Sequence, residues 1–476
     1  MVGKIAYYAD LLRQKQLSAR ELTQSYLDRI ARDNPALNAY ITVAADFALA
    51  QADAVDRRRM AGEDLPMLAG IPMTVKDNIS TKGILTTCAS KILSNYVPVF
   101  NAFAVERIYA NGGVMLGKTN LDEFGMGSTC EHSAYGATRN PVDRTRVPGG
   151  SSGGGAAAVA ADLAVYALGS DTGGSIRQPS AFCGTVGFKP TYGMVSRWGL
   201  IAYASSLDQI GVIAPTVEDA AIVTDAIALP DPMDATCSPA SRPSAYAGLK
   251  RDVKGLKIGL IRNLFRGLNP VIENAVRAAA EHFRTLGAEV VEVEAERLDL
   301  VLPVYYILAC AEAASNLSRY DGVRYGVRAK GATSFEEMVC KTRSEGFGDE
   351  VKRRIMLGNY VLSSGYFDAY YKKAQEMRNG LIADLDDLLR SVDCLLAPTV
   401  ASTAFGIGEF SSLSPVEMYL TDLCTVPVNV CGLPAISLPC GKDEKGLPIG
   451  LQLIGKRFAD ADLLAYANAY QTTREG

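Results

Sequence analysis

The chain has 476 residues, 48% hydrophobic and 21% charged, with a net charge of −4. That balance describes a soluble globular protein with one large core or roughly two to three ordinary domains. Charge is spread without long runs, which excludes a whole-chain electrostatic case for nucleic-acid or membrane binding. Ten cysteines form no Cys-x-x-Cys pair, and with two histidines a metal site has few ligands to draw on, so buried reduced thiols are expected and no metal. The N-terminus lacks an apolar signal region, and the alanine-rich run from Gly153 to Leu168, broken by Asp162, is too short to span a bilayer. A cytoplasmic location without a membrane partner is the expectation.

In chain order, Ser18-Ala19-Arg20-Glu21 predicts a capping box, and Leu22, Tyr26 and Ile30 follow on one helical face. Residues 68–215 alternate strand-like runs, such as Val114-Met115-Leu116 and Ala164 to Leu168, with glycine-rich turns. Residues 229–255, with Pro230, Pro232, Pro239 and Pro243, predict a surface connection. Lys257 to Ile261, Val271 to Leu286 and Val290 to Val293 read as strand, helix and strand. Residues 304–390 read as largely helical, and strands return at Leu395 to Pro398, Ala435 to Pro439 and Ile449 to Leu453. The alternation predicts an α/β fold, a large sheet core covered by helices on both faces.

Three short segments carry the chemistry. They are Gly70 to Asn78, containing Lys76; Pro148 to Gly155, containing Ser151 and Ser152; and Asp171 to Arg177, containing Ser175. A serine hydroxyl needs a neighbour to take its proton, and a desolvated lysine can do this where histidine is scarce. If Ile71 to Val75 is a strand, Lys76 and Asp77 point to opposite faces, and Lys76 can be buried without that partner. The Gly149 to Gly155 stretch could cradle phosphate, link two units or form a catalytic loop. A linker fits poorly because a helix-like alanine run follows, and a phosphate loop would want a lysine after the glycines. The turn Asp171-Thr172-Gly173-Gly174-Ser175 offers consecutive backbone N–H groups as an oxyanion hole, or simply closes a strand. Gly112 to Thr119 matches the Walker A pattern, but a helix-like run precedes it and its centre is strand-like, which argues against a nucleotide site.

Together these segments resemble the amidase signature family over Leu68 to about Val217 and again over Asp393 to Gly455. The resemblance implies one amidase signature domain over residues 1–476, with Lys76 as base, Ser151 as relay and Ser175 as acylated nucleophile. The backbone of Thr172, Gly173, Gly174 and Ser175 is implied as the oxyanion hole. The block from Tyr305 to Gln375 is similar, within the family, to the glutaminase subunits of tRNA-dependent amidotransferases. That likeness implies glutamine as substrate, held by Arg354 or its neighbour Arg353, by Asp422 and by Tyr306. It implies no cofactor in this chain. It also implies a kinase and tRNA-binding partner subunit that carries ATP and Mg²⁺, a small third subunit completing a heterotrimer, and Glu-tRNA(Gln), Asp-tRNA(Asn) or both as the amidated product's source. A stand-alone amidase acting on a small amide is the alternative. Gly127 to Ser133 departs from the subfamily's usual Gly-Ser-Ser-Thr-Glu-Asn-Ser, and His132 there reads as a loop residue, not as a second base.

Overall fold

The computed structural model describes residues 3–240, 242–409 and 412–474. Eleven strands form one mixed sheet. They are β1 (Tyr40–Val43), β2 (Pro72–Lys76), β3 (Val114–Thr119), β4 (Tyr166–Asp171), β5 (Val186–Lys189), β6 (Gln209–Ala214), β7 (Lys257–Ile261), β8 (Glu289–Val293), β9 (Cys394–Pro398), β10 (Ala435–Lys442) and β11 (Pro448–Ile454). Their order is β1-β3-β2-β4-β6-β5-β10-β11-β9-β7-β8. β2 lies between β3 and β4 and is parallel to both. The other parallel pairs are β7 with β8 and with β9.

Side chains alternate across a strand, and β9 shows what this does. Cys394 and Leu396 enter the apolar core that contains Val276 and Phe283 of the Pro270–Thr285 helix. Leu395 and Ala397 enter a second core, with Val301, Leu308 and Ala309 of the Val301–Asn316 helix. Both faces of the sheet are therefore covered by helices, as the alternation of elements predicted. Ser18 caps the Ala19–Leu37 helix in the expected capping box, and Leu22, Tyr26 and Ile30 are its buried face.

The most apolar long helical run is Leu298–Arg319, not the alanine-rich one, and its apolar residues sit in the second core. It packs closely on the Asp349–Leu362 helix. At the crossing, a Cβ on Gly358 would lie 2.0 Å from the Cys310 carbonyl oxygen and 2.7 Å from the Ala314 Cβ. Only glycine lets the two backbones approach so far.

The Walker-like segment is β3 itself. Lys118 on it is fully buried, donates to Ile79 O (2.8 Å) and Thr86 Oγ1 (2.7 Å), and lies 3.4 Å from Asp77 Oδ1. A lysine committed in this way cannot reach a phosphate.

Candidate active site

β2 and β4 run parallel, so Lys76 and Asp171 end neighbouring strands at their carboxyl ends. In sheets with parallel strands that is where ligand crevices open. Lys76 is buried. Its Nζ lies 2.7 Å from Ser151 Oγ, 3.2 Å from Ser170 O and 3.0 Å from Ser170 Oγ. Asn78 Nδ2 donates to the same Ser170 Oγ at 2.9 Å. Among the described residues no carboxylate stands within ion-pair distance of Lys76, because Asp77 faces Lys118. Burial pulls the Lys76 amine down to about 8, partly offset by the more distant Asp122, Cys130, Asp171 and Asp208. A neutral amine has two N–H groups and one lone pair. The Ser170 carbonyl and hydroxyl can accept the two N–H groups, which leaves the lone pair for the Ser151 O–H. That arrangement can take a proton from Ser151.

Ser151 follows a cis peptide bond at Gly150-Ser151. Gly150 N donates to Gln178 Oε1 at 2.8 Å, and Ser152 N donates to the Ser175 carbonyl at 3.0 Å. The glycine-rich stretch is thus tied to the turn that carries Ser175. Gly153, Gly154 and Gly155 are not an open loop, however. They form the first turn of the Gly153–Ala160 helix. A Cβ on Gly154 would stand 2.5 Å from both the Ala39 and Asn120 carbonyl oxygens, so this glycine serves close packing and not approach to substrate.

β4 continues two residues past Gly169 before the Ser175 turn begins. Asp171 anchors that turn. Its carboxylate accepts from Gly174 N (2.9 Å), Ile176 N (3.1 Å), Asn429 Nδ2 (2.9 Å) and the Arg177 guanidinium (3.1 Å). Arg177 also donates to Asn429 Oδ1, Gln452 Oε1 and Thr425 O. Burial alone would raise the Asp171 carboxyl, but Arg177, Lys189 and Asn429 hold it well below the usual carboxylate range. The anchor corrects one expectation: the Gly174 N–H is directed at Asp171. The N–H groups of Thr172, Gly173 and Ser175 have no intramolecular partner among the described residues and are the ones open to an oxyanion.

A small cavity opens beside Ser175, lined by Gly125, Gly127, Ser128, Gly150, Gly173, Gly174, Tyr305, Arg354 and Asp422. Arg354 is buried, donates from Nε to Glu350 Oε1 (2.8 Å) and from Nη1 to Tyr203 OH (2.7 Å), and lies over the rings of Tyr203, Tyr306 and Tyr419. Arg353, with a side chain 47% exposed, pairs with Glu350 and faces a different surface cleft. Register alone left these two arginines open; of the two, Arg354 is the one that lines the cavity beside Ser175. Asp422 accepts from Ser128 Oγ (2.8 Å) and Tyr306 OH (2.7 Å). Burial raises its carboxyl, against the lowering effects of Tyr306, Ser128 and Arg354. Tyr306 therefore holds Asp422 from behind, and the ring on the cavity wall is Tyr305. His132 lines the outer cleft, and its backbone N–H donates to Asp122 Oδ1 at 3.1 Å. The sequence reading missed Ser170, Asn78, Tyr203 and Ser128. Two of these had a signal: Asn78 ends the segment that carries Lys76, and Ser128 lies in the segment that departs from the subfamily pattern.

A family model described as Amidase matches residues 21–464. The chain is 54% identical to the A subunit of glutamyl-tRNA(Gln) amidotransferase from Thermosynechococcus vestitus, covering 97% of this chain and 96% of that protein. It is 52% identical to the protein of the same name from a Synechococcus species, covering 98% and 95%. Among solved structures it resembles the A subunit of glutamyl-tRNA(Gln) amidotransferase from Thermotoga maritima, with 42% identity, a TM-score of 0.78 and coverage of 94% and 90%. It also resembles a peptide amidase from Stenotrophomonas maltophilia, with 32% identity, a TM-score of 0.83 and coverage of 99% and 97%. With the site's three segments inside the matched span, the chain belongs to the amidase signature family.

Proposed function

We propose that this chain is the glutaminase subunit of a tRNA-dependent amidotransferase. The observation that carries the reading is a buried cation and a buried carboxylate, Arg354 and Asp422, facing the cavity that holds Ser175. A guanidinium suits an α-carboxylate and a carboxylate suits an α-ammonium, so the pair matches the zwitterionic end of an amino acid. The side-chain amide of glutamine then extends toward Ser175. Ser175 Oγ attacks the amide carbon while its proton passes to Ser151, whose own proton passes to Lys76. The N–H groups of Thr172, Gly173 and Ser175 stabilise the oxyanion. Lys76 returns a proton through Ser151 to the departing nitrogen, ammonia leaves, and water hydrolyses the glutamyl ester to glutamate and free Ser175.

Ammonia is consumed on a partner subunit that uses ATP and Mg²⁺ to activate the acyl group of Glu-tRNA(Gln) or Asp-tRNA(Asn), with a small third subunit completing the assembly. The names of the relatives support this, as does the sequence block at 305–375. The test is glutamate release by the chain alone, with partner subunits, and with acceptor tRNA and ATP added. Rates are expected to rise at each step, because a site that ran freely would lose ammonia to solvent. Equal rates in all three would instead identify a stand-alone amidase.

A lysine base also fixes the pH response. Neutral Lys76 is the active form, and its amine sits near 8. From pH 7 to pH 9 the neutral fraction climbs from about one tenth to about nine tenths, and kcat/KM for glutamine hydrolysis should climb with it. EDTA should leave that half-reaction intact, although it would stop the coupled, kinase-dependent one. A flat pH profile, or loss of glutamine hydrolysis to chelator, would contradict the assignment of Lys76.

A further inference from the structure

The segments that carry Asn78, bonded to Ser170, and Tyr203, bonded to Arg354, have an outer side. There a cleft of about 370 Å³ opens to the surface. Tyr96, Phe100, Trp198, Met233, Tyr320 and Tyr325 line it, over a floor formed by residues 197–202. Its rim is unusually open for such large apolar groups: Phe100 is 37% exposed, Trp198 39%, Tyr325 41% and Met233 58%. The Trp198 and Phe100 rings lie 5.5 Å apart, and Tyr96 meets Tyr325 edge-on at 6.1 Å. A contiguous exposed apolar patch with a polar border marks an interaction site more often than a bare surface.

The border has a sign. Asp234 is the only carboxylate lining the cleft among the described residues. It is already engaged by Arg197 N (2.7 Å), Thr236 N (2.9 Å) and Thr236 Oγ1 (2.7 Å). Arg319 donates to the carbonyl and side-chain oxygens of Asn316, and among the described residues no carboxylate answers its charge. Residues 319–330, which supply Arg319, Tyr320 and Tyr325, carry Arg319, Arg324, Arg328 and Lys330 against the single carboxylate Asp321. The cleft is thus apolar inside, with Arg197 paired to Asp234 and Arg319 as the cation at its edge that has no carboxylate partner among the described residues.

Its floor is bonded to the catalytic machinery. Ile201 N donates to Asn78 O and Ser80 N donates to Gly199 O, both at 2.9 Å. Asn78 holds Ser170, and Ser170 holds Lys76. At the end of the floor, Tyr203 accepts from Arg354. On the other wall, Tyr320 packs on Phe124 at 5.1 Å, next to Gly125 of the glutamine cavity.

We propose that this cleft docks an extended segment of the partner subunit, one bearing an aromatic or aliphatic side chain beside a carboxylate, and that docking sets Lys76 and Arg354 through the shared floor. The apolar anchor fills the aromatic cleft, and the carboxylate meets Arg319. The inference rests on the glutaminase-subunit reading and names where the partner acts on the site.

Trp198 is the chain's only tryptophan. Incorporating 5-fluorotryptophan therefore places a single ¹⁹F reporter in the cleft. The labelled chain is mixed with the partner subunits of its native host. Its resonance is expected to move on assembly and to stay put when the chain alone is concentrated. Met233→Glu and Phe100→Glu, at the rim, should weaken assembly about 30-fold or more, as expected for interface anchors, and abolish partner stimulation. Basal glutamine hydrolysis by the isolated variants should be unchanged. A complex that assembles and amidates tRNA with an unmoved resonance overturns the docking proposal and leaves the function standing. A shift produced by the chain alone on concentration assigns the cleft to a second copy and also overturns it. A chain that hydrolyses glutamine yet binds no partner overturns both.

Discussion

Ser175→Ala is expected to lower glutamine hydrolysis by at least about 10³-fold, and Lys76→Ala to come close to it, because members of one catalytic unit fail together. The double variant should be little worse than either single one. The reason is geometric. Among the described residues Lys76 touches no carboxylate and has Ser151 Oγ at 2.7 Å, so in the proposed relay its amine works on Ser175 through that hydroxyl. Removing the amine leaves Ser151 without an acceptor; removing Ser175 leaves the relay with nothing to activate. Steady-state and single-turnover rates of the three proteins are the measurement. Near-normal turnover by Ser175→Ala, or multiplicative losses in the double variant, would end this account.

Arg354→Ala is expected to raise the KM for glutamine by about 100-fold, since truncating one member of a buried charge pair costs about 2–5 kcal/mol. The guanidinium also satisfies Glu350, which is buried, so the variant should lose stability as well. Two readouts separate these effects. Attack of hydroxylamine on a preformed acyl-enzyme does not need Arg354 to bind glutamine afresh and should be slowed far less. Glu350→Gln should lower the melting temperature while keeping most of the glutamine affinity. If Arg354→Ala changes melting alone and leaves KM in place, the residue is structural.

What could be read from the sequence was what is local in it. Lys76, Ser151 and Ser175 each sit in a short segment whose residue types state their chemistry, and the sheet strands announced themselves as apolar runs between glycines. The supporting contacts are long-range, and no local pattern reports them. Asp422 receives its hydroxyl from Ser128, 294 residues away. Arg177 reaches Thr425 and Gln452, 248 and 275 residues on. The choice between Arg353 and Arg354 turned on which face of a helix meets the second core, which the packing of the Val301–Asn316 helix decides. The glycines at 153–155 differ from the catalytic-loop reading for a related reason: they start a buried helix, and the need for glycine at 154 comes from the backbones of Ala39 and Asn120. Gly174 was credited to the oxyanion hole because consecutive glycine N–H groups look alike until Asp171 is seen to claim one of them.

The tight crossing at Gly358 reaches further than packing. Arg354 lies one helical turn before Gly358, on a helix pressed against its neighbour until the backbones touch. Ser175 is held as firmly by the Asp171–Arg177 cluster on the sheet. On the proposed reading the two ends of glutamine are held by residues set on tightly packed elements, and the span between them would act as a ruler. Asparagine carries the same zwitterion and the same amide as glutamine but is one methylene shorter. Anchored at Arg354 and Asp422, its carbonyl is expected to reach the hydroxyl less well, so kcat/KM for asparagine should be lower than for glutamine. If reach sets the preference, a side chain larger than hydrogen at position 358, which would push the helices apart, should narrow the difference between the two amides without altering any residue that lines the cavity.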